Sequence, residues 1–249
     1  MQNKENISKD IIDRKPPIPI PVEDDGVFYQ VENIYYMQNG TVKRIRMDDN
    51  YKYCTGIAFY TLNGFNSSEI VGIKKNGNFI FDKLPLLHLQ SDNVDNVNGT
   101  FFNTVFEAAG SLIEFYSENS GGFPGGDYYL IFRLENKKPD FNNKHYDINL
   151  LNLSAGINTG RFLFAYNKKI KKIAFYKISG NGSVDYFTVR DSSRFYFKDM
   201  RFRFVSRLNL SDVNKRFVRC DAPTNNLMYE FNVAGTGSVD IFVVFEYED

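Results

Sequence analysis

Few residues in this chain have the types and spacing that chemistry requires. The two histidines, His88 and His145, are the natural candidates for a general base. His88 sits in the apolar run LPLLHLQ and reads as a partly buried structural side chain, whereas His145 sits in the Asn- and Lys-rich stretch FNNKHYD and reads as solvated. Glu114 and Glu230 have the residue type that glycoside cleavage pairs. Asp92 and Asp95, in SDNVDNVNG, suggest a calcium loop but lack the acidic 1, 3, 5 ligand spacing that such a loop needs. Cys54 and Cys220 are too few for a disulfide framework, form no close-spaced zinc pattern with the histidines, and read as core thiols. No G-x-S-x-G, P-loop, H-E-x-x-H or G-x-G-x-x-G pattern occurs. The expectation is a protein without a catalytic set, metal or cofactor.

The elements that must position these residues come from a repeat. The tetrapeptide IAFY stands at residues 57–60 and again at 173–176, an offset of 116. Holding that offset, Gly64 meets Gly180, Ser67 meets Ser183, Glu69 meets Asp185, Phe79 and Phe81 meet Phe195 and Phe197, and Asn93 meets Asn209, giving 9 identities over the 37 positions 57–93. Chance tetrapeptides do not bring their surroundings with them. The offset drops to 113 at the end, where LIFRLE (130–135) matches VVFEYE (243–248), so the first copy carries a loop three residues longer, within SENSGGFPGGD at 117–127. Glu114 and Glu230 are equivalents in this duplication and therefore belong to different copies, far apart and best explained as solvent-facing strand positions.

Within each copy the runs are short, alternating and punctuated, the pattern of strands. In the second copy the pattern predicts strands at 147–151, 161–166, 172–178, 184–190, 194–197, 201–207, 216–220, 227–232 and 239–246. Residues 70–81 of the first copy read as a hairpin, because Asn76-Gly77 supplies the two positive-φ positions of a tight type I′ turn; Ser192-Ser193 is the counterpart. Arg201-Phe202-Arg203-Phe204 alternates with period two, which predicts one wet and one buried face. The last apolar runs, 130–134 and 241–245, suit central strands covered on both sides. The aromatic content, 24 Phe and 16 Tyr with no Trp, supports an all-β class. The expected fold is two tandem eight-stranded β-sandwiches of jelly-roll type, at 26–136 and 137–249, preceded by an arm at 1–25.

That arm is polar to residue 15 and then reads PPIPIP, where Pro16, Pro17, Pro19 and Pro21 impose an extended conformation with few backbone donors. Such a segment suits docking on a neighbouring subunit, since proline lowers the entropy lost on binding. Phe123, between glycines in the 117–127 loop, is a second candidate contact. The chain is neutral overall, but residues 1–25 carry −2, 26–136 carry −4 and 137–249 carry +6. Oppositely charged halves can attract a neighbouring copy. The scattered lysines of the second half lack an RNP-like motif and give no specific nucleic-acid recognition. No apolar run approaches the ~18 residues that span a bilayer, and the charged N-terminus lacks a signal-peptide core, so synthesis in a cytoplasm is expected; whether the arm contacts a membrane is left open by the sequence.

Two consecutive eight-strand repeats, an N-terminal arm and the paired endings YYLIFRLE and DIFVVFEYE resemble the double jelly-roll coat proteins of tailless bacterial and other viruses. The resemblance implies two jelly rolls side by side in each chain, three chains in a pseudo-hexagonal block and an arm reaching beneath the shell. It implies a virion location, with copies of the chain and other virion proteins as partners. Family members commonly carry long tower loops for which this chain has no room, so the resemblance also admits a minor capsid, ring, collar or tail component. The alternative from another class is a carbohydrate-binding or adhesin module with an exposed aromatic platform near 91–101 or 117–127; an enzyme with groups converging at 136–146, around Asp140 and His145, is a third.

Overall fold

The computed structural model describes residues 26–37, 40–61, 69–90, 97–119, 126–206 and 212–247. The first module has eight strands: β1 (Phe28–Met37), β2 (Val42–Arg46), β3 (Tyr53–Thr61), β4 (Glu69–Lys75), β5 (Asn78–Pro85), β6 (Phe102–Glu107), β7 (Leu112–Asn119) and β8 (Gly126–Glu135). They form two four-stranded sheets in the orders β1-β8-β3-β6 and β2-β7-β4-β5. The second module repeats the set as β9 (Tyr146–Leu153), β10 (Gly156–Arg161), β11 (Ile170–Ser179), β12 (Ser183–Arg190), β13 (Phe195–Arg201), β14 (Val218–Ala222), β15 (Met228–Ala234) and β16 (Val239–Tyr247). Its sheets, β14-β11-β16-β9 and β10-β15-β12-β13, reproduce the first pair strand for strand. Each module is a jelly roll, with strands passing back and forth between two facing sheets.

The duplication extends to the pairing register. Ile57 faces Phe132 across β3 and β8, and Ile173 faces Phe245 across β11 and β16. The short helical segments match too. The single turn α1 (Leu86–Leu89) corresponds to the 3₁₀ turn Phe202–Phe204, and the turn Val97–Thr100 to Val213–Lys215, all at the 116 offset. One register has moved. Ile73 of β4 lies opposite Phe115 of β7, whereas its counterpart Val189 of β12 lies opposite Tyr229 of β15, which corresponds to Ile113. The slip is two residues, so Ile73 and Val189 both still point inward; a slip of one would have turned the strand inside out.

Alternation explains the cores. In β7, Ile113, Phe115 and Ser117 are buried between more exposed neighbours. Facing sheets meet through Phe59 and Phe115 in the first module and through Phe175, Phe187 and Phe231 in the second, with Phe187 stacked on Phe231 at 5.5 Å. β8 and β16 are central strands, as their continuous apolar runs imply. The 75–78 turn has Asn76 at φ 51° and Gly77 at φ 79°, both in the left-handed region that type I′ requires. In the second copy neither Ser192 nor Ser193 has a positive φ, and the Asp191 carboxylate holds the turn instead, accepting from the backbone N–H of Ser193 (2.6 Å) and Arg194 (2.8 Å) and from the Tyr196 hydroxyl.

Two expected strands are not strands. At 161–166 the apolar alternation is real, and Phe162, Phe164 and Tyr166 pack on Phe245 and Tyr247. After a last backbone bond from Phe162 N–H to Leu227 C=O (3.0 Å), the backbone there is held by side chains instead of a ladder: Leu163 N–H donates to Asn149 Oδ1 (2.7 Å), Asn149 Nδ2 donates to Leu163 C=O (2.6 Å), and Ala165 N–H donates to Asp147 Oδ2 (2.6 Å). The true strand, β10, precedes this segment. Of the strand expected at 201–207, residue 207 lies outside the described residues; before it the chain leaves β13 at Arg201 and forms the 3₁₀ turn, so Phe202 is buried while Phe204 is 58% exposed. A repeat of three residues cannot keep positions two apart on one face. Truncation of a facing-sheet anchor is expected to be costly: Phe231→Ala should lower stability by about 3–5 kcal/mol, read as a shift of the urea midpoint.

Candidate assembly interface

The second module has its own core, yet alternate residues of its β11 and β16 belong to a different one. Phe175, Ile241, Val243 and Phe245 point into the second sandwich, whereas Ala174, Tyr176, Phe242 and Val244 point out and join the hydrophobic cluster of the first. The outer face of this sheet is therefore buried. What covers it is one end of the first module, made by α1, β5 and β6 with help from the Val213–Lys215 turn of the second.

His88 is the centre of this contact. All four residues of α1 are buried, and the His88 ring lies 4.7 Å from Phe217, 5.4 Å from Phe102 and 5.6 Å from Tyr176. Its Nδ1 is hydrogen-bonded to the Tyr176 hydroxyl. Arg216, also buried, donates through Nη1 to Leu87 C=O (2.6 Å) and His88 C=O (3.3 Å). It thereby satisfies carbonyls that so short a helix leaves without intrahelical partners. Burial, then the neighbouring Arg216 charge, holds His88 well below the usual histidine range, and burial pushes the Tyr176 hydroxyl upward.

Edge strand β6 is closed by amides. Asn214 donates to Phe101 C=O (2.9 Å) and accepts from Asn103 N–H (2.9 Å), while Asn143 accepts from Val105 N–H and donates to Val105 C=O, both at 2.7 Å. These pairs occupy backbone groups that an open edge would offer to another chain.

The corresponding surfaces at the two extremities of the chain stand differently. At the repeat offsets, Ala174, Tyr176, Phe242 and Val244 become Ala58, Tyr60, Tyr129 and Ile131 of the first module. Tyr60, Tyr129 and Ile131 are half-buried, and the two tyrosine rings lie 6.3 Å apart. His88 becomes Phe204, an exposed phenylalanine with the Arg203 guanidinium over its ring. Each half of the internal contact thus recurs once more, without its counterpart among the described residues.

The residues singled out in the sequence are dispersed. Pro16, Pro17, Pro19, Pro21, Phe123, Asp92 and Asp95 lie outside the described residues. Glu114 is ion-paired with Arg44 (3.1 Å), and Glu230 lies on β15 of the other module, opposite Thr159 and Thr188. His145 is exposed and touches Tyr166, and Asp140 is exposed. Cys54 and Cys220 are free and buried, and burial pushes both thiols up to about 12. No group of three His, Cys, Asp or Glu side chains suited to a metal ion occurs among the described residues. No helix there is long and apolar enough to cross a membrane. Sequence reading missed Phe204, Tyr60 and Arg216; the signal for Phe204 was its place at the offset from His88.

One carboxyl outside the interface is unusual. Glu69, at the start of β4, is 2% exposed, its Oε2 has no hydrogen-bond partner among the described residues, and burial raises it to about 7 despite a hydrogen bond from Tyr128. A raised acid binds its proton more tightly folded than unfolded, so its contribution is complete below about 4.5 and fades as pH rises through 7. Glu69→Gln should therefore flatten the fall in Tm between pH 5 and 8. Arg216→Met, which strips α1 of its carbonyl partner, should cost about 1.5–3 kcal/mol in urea unfolding at pH 7.5.

No protein-family model matches this chain, and no curated protein sequence matches it. Among solved structures it is similar to the crystal structure of the major capsid protein P2 from bacteriophage PM2, at 10% identity and a TM-score of 0.49 over 88% of this chain and 97% of that one. It is also similar to a chain from an archaeal virus structure described by its triple jelly roll fold and turret assembly, at 11% identity and a TM-score of 0.25 over 87% of this chain and 58% of that one. Likenesses at these levels leave the function to be judged from the chain's own surfaces.

Proposed function

We propose that this chain is a virion structural protein, a capsid or other phage particle component of double jelly-roll type that acts by self-assembly. The observation that carries the reading is the internal contact. A sheet face of one module is buried by the α1 end of the other, and the chain presents a second such face and a second such end, both open among the described residues. Copies joined head to tail would repeat the contact, with Phe204 of one copy meeting Tyr60 and Tyr129 of the next as His88 meets Tyr176. A heterologous contact of this kind builds a closed ring if its rotation divides a full turn, and a filament otherwise. The opposite charges of residues 26–136 and 137–249 favour the same alternation of first and second modules.

In this reading the modules are 26–136 and 137–249. The arm at 1–25, through Pro16, Pro17, Pro19 and Pro21, and the loop bearing Phe123 add contacts to other copies or to other virion proteins. Synthesis takes place in the host cytoplasm and the finished protein resides in the particle.

Light scattering coupled to size-exclusion chromatography tests the reading on the full chain and on a chain lacking residues 1–25. The full chain should form an oligomer. Phe204→Glu and Tyr60→Glu should each shift it to monomer at concentrations where the parent is associated. Phe204→Glu should change unfolding stability by no more than about 0.5 kcal/mol, because the side chain it replaces is exposed. A full chain that stays monomeric at high concentration would sink the proposal.

A further inference from the structure

We propose that the contact between the two modules is an acid-labile joint in which His88 is the proton-sensing residue. The geometry supplies every part. His88 is fully buried where the modules meet, and its ring touches both: Phe102 on one side, Tyr176 and Phe217 on the other. Nδ1 is engaged by the Tyr176 hydroxyl, and Nε2 has no hydrogen-bond partner among the described residues. An imidazolium would carry N–H on both nitrogens, so at least one donor would be stranded in an apolar setting.

The groups facing the ring offer little relief. α1 contributes Leu86, Leu87 and Leu89, β6 contributes Phe102, and β9 contributes Tyr146 behind Phe102 and Phe217. β11 contributes Tyr176, whose hydroxyl stays protonated, and the chain after the Val213–Lys215 turn contributes Arg216 and Phe217. Among described residues the charged group acting on His88 is Arg216, a cation, which opposes a second positive charge. Water is the available relief, and it reaches His88 when α1 lifts from Tyr176 and Phe217. The interior of the second jelly roll does not depend on that contact, since Phe175, Phe187 and Phe231 are enclosed within their own sandwich.

The sign follows from linkage. A histidine held neutral in the closed joint and free to titrate in the open one, near 6.5, leaves the closed joint unaffected above that pH. Below it the open form binds the extra proton, and closure weakens with each further unit. Glu69 works in the opposite direction through the same range, so global stability would blur the effect and a local readout is required.

Hydrogen exchange followed by mass spectrometry on the full chain provides that readout. After correction for the intrinsic rate, amides of α1 and of residues 101–105 should exchange at least tenfold faster at pH 5.0 than at pH 7.5, while β15 stays protected. His88→Asn, polar but not titrating, should abolish the difference, and so should the paired His88→Phe with Tyr176→Phe, which removes both hydrogen-bonding partners together. A parent chain without the step overturns the proposal, whether or not the variants fold. So does a step that persists in either variant. These results do not depend on the oligomeric state and therefore separate the joint from the assembly reading.

Discussion

The burial of the outer face of β11 and β16 is the constraint on which the molecule depends. A sandwich sheet ordinarily has one face against the opposing sheet and one in water. Here Ala174, Tyr176, Phe242 and Val244 make the outward face apolar, and the end of the first module carrying α1 covers it. That one contact turns two jelly rolls into a single body. It also demands the fully buried His88 and the buried Arg216, because the covering element is a four-residue turn whose carbonyls need a donor and whose ring must sit among aromatics.

Period-two geometry explains how two copies diverged this far and kept one topology. Side chains on a strand alternate, so a pairing can slide by two residues without exchanging core for surface. β4 on β7 and β12 on β15 differ by that amount, and the inward residues remain Ile73 and Phe115 in one case, Val189 and Phe231 in the other. The turns that join β4 to β5 and β12 to β13 close by different chemistry, through left-handed backbone at Asn76-Gly77 and through a carboxylate clasp at Asp191 where neither Ser192 nor Ser193 has a positive φ.

Much of the fold was legible because burial on one face writes itself as alternation. The paired central strands β8 and β16, the 75–78 turn and the equivalence of the copies all follow from local pattern. Where reading failed, a local signal had two structural solutions. Phe162, Phe164 and Tyr166 alternate as a strand would, yet the intervening Leu163 and Ala165 are bonded by Asn149 and Asp147, side chains distant in sequence until β9 folds beside them. Arg201 to Phe204 alternates in composition but coils into a 3₁₀ turn, because the chain must leave its sheet there.

The tetrapeptide IAFY marks the boundary between what sequence determines and what tertiary structure decides. In both copies it forms the same strand, points Ile and Phe into the sandwich and Ala and Tyr out of it, since alternation is a property of the backbone alone. Tyr176 is nevertheless fully buried and hydrogen-bonded to His88, while Tyr60 is half-buried, with no second module over it among the described residues. The residue and its local neighbours are identical. What differs is whether another module stands in front of it, and that depends on contacts more than eighty residues away along the chain, which no local pattern encodes.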